Sequence, residues 1–170
     1  MTKPTHNDPI DALGAAYEKM YERAAQNLHS TEKKSAHLLH KLIDEAKDKA
    51  VELKELSEDD AAKLADWLKR DLDDTVNYLS ETGLELKDWL GFETTLLESA
   101  VLDLLLKSAD KTTVELLTMK DYARQPHTYH TGEITGPGTL VCDQCGEKLH
   151  FHRAGKIPPC PKCHATTFHR

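Results

Sequence analysis

The sequence predicts a mainly α-helical protein with a small β unit at its C-terminal end. Three observations carry that prediction. Apolar residues recur at steps of three and four through most of the first 126 residues. Glycine and proline become frequent abruptly after Gln125-Pro126. All four cysteines fall within the last thirty residues, as two C-x-x-C pairs.

The helical part can be read element by element. Asp8-Pro9 is a helix start, the Asp as cap and the Pro at the first helical position. Ile10, Leu13, Tyr17, Met20, Ala24 and Leu28 then form one stripe. After a break near Ser30-Thr31, a second stripe runs Ala36, Leu39, Ile43, Ala46, Ala50, Leu53, which is the 3-4-3-4-3 spacing of a heptad seam. Ser57 with Asp60 three residues on fits a capping-box-like start, and Ala61, Leu64, Leu68, Leu72, Val76 and Leu79 continue to a stop at Thr82-Gly83. Leu84 to about Lys107 is richer in large apolar residues, including Trp89 and Phe92, and Thr112-Thr113-Val114-Glu115 opens a short last helix to about Tyr122. Narrow seams joined by short polar connections describe an N-terminal antiparallel helical bundle or coiled-coil hairpin over residues 1–126.

Residues 127–170 follow a different logic. Thr128 to Ile134 is rich in β-formers, Gly136-Pro137-Gly138 supplies a turn, and Thr139-Leu140-Val141 leads as a strand into the first cysteine. Lys148 to Arg153 and Thr166 to His169 are further strand candidates, with a turn expected at Ala154-Gly155-Lys156. The cysteines read Cys142-Asp143-Gln144-Cys145, fourteen residues, then Cys160-Pro161-Lys162-Cys163. Two residues between cysteines let a tight turn aim both sulfurs at one ion, and two such pairs 22 residues from end to end form a strong metal signal. Gly146, directly after the second ligand, suits a positive φ, and His164 holds the equivalent place in the second pair. Short strands around two cysteine turns make a small β zinc ribbon.

Four thiolates complete a tetrahedral shell around one Zn²⁺ and leave no coordination position for water or substrate, so the expected role is structural. A single Fe in the same shell, giving a redox protein, is the chemical alternative. With Leu140, Val141, Leu149, Phe151, Ile157 and Phe168 as nearly its whole apolar inventory, the ribbon is expected to unfold without metal while the helices persist. Of the histidines here, His127, His130, His150, His152, His164 and His169, none is needed as a ligand. Lys148, His150 and His152 alternate onto one strand face, read as a solvated surface in preference to a phosphate-contacting strip. His37 and His40, the latter four residues before Asp44, are read as decoration of a polar helix face.

Charge and composition restrict function further. With 39% hydrophobic and 30% charged residues the chain can bury a core, and the formal charge of −7 disfavours a surface that coats nucleic acid. Residues 127–170 carry five basic and three acidic side chains and the rest 17 and 26, so neither half is a basic patch. The most apolar stretch, Leu96 to Leu106, is broken by Glu98 and Asp103 and is shorter than the ~20 residues of a spanning helix. With no secretion signal in the opening residues, a cytoplasmic, non-membrane protein is expected. No Ser/His/Asp set, phosphate-cradling Gly loop or H-E-x-x-H motif is present, so no enzymatic activity is expected.

The run from His130 through Thr131-Gly132-Glu133-Ile134-Thr135-Gly136-Pro137-Gly138-Thr139-Leu140-Val141 to Cys142-Asp143-Gln144-Cys145, followed by Cys160-Pro161-Lys162-Cys163, resembles the bacterial YbeL-like zinc-ribbon-containing proteins. The resemblance implies a cytoplasmic bacterial protein with a helical N-terminal region and the same four cysteine ligands, and it names no biochemical role. The expected function is an interaction or adaptor module, binding a protein partner or a second copy through the helical region. Nucleic-acid binding through the ribbon is the alternative.

Overall fold

The computed structural model describes residues 9–30, 36–82 and 127–170, and within the helices some side chains near the ends are left out of the description. Three helices come first: α1 (Pro9–His29), α2 (Ala36–Glu52) and α3 (Glu58–Thr82). Six short strands follow: β1 (Tyr129–His130), β2 (Ile134–Thr135), β3 (Gly138–Cys142), β4 (Lys148–Phe151), β5 (Gly155–Lys156) and β6 (Thr167–His169). The expected helices at Leu84–Lys107 and Thr113–Tyr122, and the boundary at Pro126, lie outside the described residues.

Local chemistry explains the described helix ends. α1 begins on Pro9, whose missing N–H costs nothing in the first turn. α3 begins after Ser57, whose Oγ accepts from the Asp60 amide at 3.2 Å, as the capping pattern predicts. α2 stops at Glu52 in a Schellman turn: Glu55 N–H donates to the Ala50 carbonyl at 2.9 Å and Lys54 N–H to that of Val51 at 3.0 Å, with Lys54 at φ 56°. This turn corrects the second stripe. Leu53 lies beyond the helix and is 50% exposed, because the reversal of the chain carries it off the seam.

The seams otherwise face inward. Tyr17, Met20, Ala24 and Leu28 of α1, Leu39, Ile43, Ala46 and Ala50 of α2, and Ala61, Leu64, Leu68 and Leu72 of α3 are buried. Tyr21, Ala25, Leu42 and Ala65 widen these faces, so the contact is broader than a strict heptad seam. Of Ile10, Ala36, Val76 and Leu79 only the backbone is described. Cross-links set the directions: Asp44 receives Lys69 at 2.7 Å, and His40 meets Asp73 at 2.8 Å, so α2 and α3 run antiparallel. Lys19 and Arg23 of α1 reach back to Glu55 beyond the far end of α2. No helix of the described residues is long and apolar enough to cross a membrane.

In the C-terminal part, β1, β6, β3 and β4 form one antiparallel sheet in that order, and β2 pairs with β5 in a second. Leu140 opposes Leu149, Cys142 opposes Phe168, and Phe168 opposes Tyr129 across the sheet. Leu140, Phe168, Ile157 and Tyr129 are fully buried around Cys142 and Cys160. One reading changes here. Gly155-Lys156, expected as a turn, pairs with Ile134-Thr135 as a strand. Ile134 and Ala154 belong to the core of the helices, in one buried cluster with Tyr17 and Leu72.

Candidate metal centre

Each C-x-x-C pair folds into the same tight turn. The Gly146 amide donates to the Cys142 carbonyl at 3.0 Å and the Cys142 amide to the Glu147 carbonyl at 2.8 Å. In the second pair the His164 amide donates to Cys160 at 2.9 Å and the Cys160 amide to Ala165 at 2.9 Å. Both turns need a left-handed residue after the second cysteine, supplied by Gly146 at φ 72° and by His164 at φ 61°. His164 therefore adopts the conformation its position demands, although glycine would do so without steric cost.

The two turns face each other. Sγ of Cys142 lies 3.5 Å from that of Cys163, Sγ of Cys145 lies 3.6 Å from that of Cys160, and all four sulfurs fall within 4.8 Å of one another. Tetrahedral Zn–S bonds of about 2.3 Å would put the sulfurs about 3.8 Å apart, so the donor set fits one ion. It is the only group of three or more His, Cys, Asp or Glu so arranged among the described residues.

The thiols are also a set that a bound cation would stabilise. Cys163 receives a backbone hydrogen bond from Ala165 that lowers its pKa, yet burial and the three neighbouring sulfurs push it up to about 12. Cys160 is raised by burial, but backbone amides of Cys163 and Lys162, with the adjacent sulfurs, bring it down to about 7. Four sulfurs this close cannot all ionise without a divalent cation to offset them, and a bound Zn²⁺ or Fe would deprotonate the set.

The histidines are placed elsewhere. His169 Nδ1 meets Asp143 Oδ1 at 2.5 Å, His150 Nδ1 meets Thr139 Oγ1 at 2.8 Å, and His130 sits 3.3 Å from Glu133. His127 lies 3.7 Å from Asp74, while His152 and His164 are exposed. Lys148 and His150 do share the exposed face of β4, with Leu149 turned inward. In the helices, His40 pairs with Asp73 rather than Asp44, and the side chain of His37 is outside the description.

Sequence reasoning missed the polar junction that joins ribbon to helices. Asp71 is 4% exposed. It accepts the Tyr17 hydroxyl, the Gly136 amide at 2.8 Å and the Thr135 hydroxyl at 3.4 Å. Arg70 is 8% exposed and donates to the Glu133 carboxylate and to the Ile134 carbonyl at 3.2 Å. Arg170 donates to Thr135 Oγ1 at 2.8 Å, to the Tyr129 hydroxyl at 3.0 Å, and to the Pro137 and Gly136 carbonyls at 3.3 Å. The Tyr129 hydroxyl in turn donates to Asp74, and the Arg70 guanidinium stacks 3.9 Å from the Tyr129 ring centre. No buried side-chain N or O of the described residues lacks a hydrogen bond. In sequence, Arg70-Asp71 between Leu68 and Leu72 reads like any solvated helix face, so periodicity holds no signal for this junction.

The profile of the zinc-ribbon containing domain family matches residues 26–170. The uncharacterized protein YbeL of Escherichia coli strain K12 is 26% identical over 129 residues, covering 76% of this chain and 79% of YbeL, and the YbeL of strain O157:H7 aligns to the same extent. No solved structure matches.

Proposed function

Because the chain belongs to the zinc-ribbon containing domain family, we propose that Cys142, Cys145, Cys160 and Cys163 bind one structural Zn²⁺. The ribbon so formed, docked on the helices, is a cytoplasmic, non-enzymatic interaction module for a protein partner or a second copy of the chain. The carrying observation is the convergence of four sulfurs within 4.8 Å on two matched turns. Four sulfurs fill a tetrahedral shell, which favours a role in folding over one in turnover.

Native mass spectrometry and metal analysis of the purified chain test the metal. One Zn per chain and a colourless solution are expected, lost on Cys160→Ser. Iron with visible absorption would replace this reading with electron transfer. Cross-linking in cells followed by affinity purification tests the second half, with a stoichiometric protein partner or a self-cross-link expected. Salt-sensitive retention on a mixed RNA and DNA pool, with no protein captured, would move the function to nucleic acid.

A further inference from the structure

Each of the two cysteine turns is tied, within a few residues, to one of the buried guanidinium groups at the helix junction. The first turn is bonded to β6: Asp143 N–H donates to the Thr167 carbonyl at 3.1 Å, and Cys142 and Val141 register against Phe168 and His169. The next residue is Arg170, whose side chain is 6% exposed and grips the Thr135–Pro137 segment against Asp71. The second turn is approached through Ile157, three residues before Cys160. Its amide donates to the Glu133 carbonyl at 2.8 Å, and its carbonyl accepts the Gly132 amide at 2.8 Å. Glu133 is the carboxylate that receives Arg70 of α3.

The helices respond to the same groups. Tyr17 of α1 and Asp71 of α3 meet beside Gly136 of the ribbon, where a Cβ would lie 3.0 Å from the Tyr17 hydroxyl and press on it. Ile134 and Ala154 supply ribbon side chains to the helical core, and Glu18 of α1 accepts the Ala154 amide at 3.0 Å. If β6 and the turn at 130–134 shift, Arg70 and Asp71 lose partners inside a low-dielectric junction, where an unpaired charge is costly.

We propose that the cysteine site is thermodynamically coupled to the packing of α1 against α3, with Arg170 and the Arg70–Glu133 pair as the two connections, so that metal occupancy sets the state of the helices. This rests on the Cys₄ site binding zinc. Coupling of this kind is reciprocal: whatever zinc does to the junction, the junction does to zinc affinity. Loss of metal would then loosen a helical face, which gives an interaction module a way to respond to zinc supply.

The reciprocal direction gives the test, since Tyr17 and Asp71 belong to the helices and are not ligands. Zinc affinity of the full chain is measured by competition with a chromogenic chelator for the wild type, Tyr17→Phe and Asp71→Asn. Amide exchange in α1 and α3 is followed with and without metal. A loss of affinity of about ten-fold in Asp71→Asn is expected, with a smaller loss in the milder Tyr17→Phe, which removes one hydroxyl. Exchange in α1 and α3 should rise at least ten-fold when zinc is stripped from the wild type. Wild-type affinity retained within two-fold by both variants, with helix exchange indifferent to metal, would overturn the coupling while leaving zinc binding intact. A wild type that takes up no zinc would overturn both this proposal and the metal reading.

Discussion

Two left-handed residues and one glycine show how much single positions decide here. His164 and Lys54 hold φ near 60° without being glycine, each at a point where a turn demands it. Gly14 is the opposite case. In a helix interior glycine costs about 1 kcal/mol relative to alanine, so Gly14→Ala should be stabilising if nothing else intervened. A Cβ at Gly14 would lie 2.8 Å from the backbone carbonyl oxygen of Ala154, and backbone cannot swing aside as a side chain can. The expected outcome of Gly14→Ala is therefore a net loss of about 1–2 kcal/mol in urea unfolding, the helix-propensity gain outweighed by displacement of the ribbon. A rise in midpoint would mean that α1 does not approach the ribbon this closely. The sequence places Gly14 on α1, but the atom it must avoid is 140 positions away, and no local pattern carries that information.

At the scale of elements, the α2–α3 connection concentrates the local signals. Ser57→Ala removes the oxygen that receives the Asp60 amide and should cost about 1 kcal/mol. Lys54→Gly should act in the other direction, by about 0.5–1 kcal/mol, because glycine fits the left-handed stop of α2 without a Cβ penalty. Chemical denaturation of the two variants checks both signs together. The Ser57 start was legible because capping is a local contract between side chain and backbone. The stop was not, since Lys54 carries none of the usual signature of a left-handed residue. The strands show the same division. β3 and β4 were readable from alternation and from their place beside the cysteines. β5 was not, because two residues, Gly155-Lys156, become a strand only when Ile134-Thr135 arrives alongside.

The whole molecule is where the ribbon's small size is resolved. A unit this short has few apolar side chains of its own, and two of its residues, Ile134 and Ala154, are spent in the helical core. The shared core changes what chelation should do: instead of sparing the helices, metal loss should lower their melting temperature. Zinc release and loss of helical circular dichroism are expected to coincide on heating, and a helical transition unmoved by chelator would refute the coupling. The junction also sets the response to alkali. Tyr17 and Tyr129 are raised well above the ordinary phenol value of 10.0, mainly by burial and next by the charge of Asp71. Unfolded, both phenols ionise near pH 10; folded, they hold their protons to higher pH. Stability from keeping them neutral is thus complete below about pH 10 and is lost as pH rises beyond it, since the unfolded chain then releases protons the native one retains. Urea midpoints from pH 8 to 11 should fall at the top of that range, and fall less in Tyr17→Phe.

The four cysteines and the helical seams could be read from the chain alone because each rests on short-range rules: two residues between ligands make a turn that converges on a metal, and a period near 3.6 makes a stripe. The zinc ribbon with its helical partner, and the clustering of Cys142, Cys145, Cys160 and Cys163, follow from such spacing. What only the tertiary structure decided is how the two parts meet. Arg70, Asp71, Tyr129 and Arg170 look in sequence like ordinary polar residues, and become a buried junction because β2 and the residue that follows β6 bring partners to Arg70 and Asp71 from 64 to 99 positions away. A charged side chain carries no mark of whether water or a counter-charge will surround it; that is settled only when distant segments close over it and remove the water.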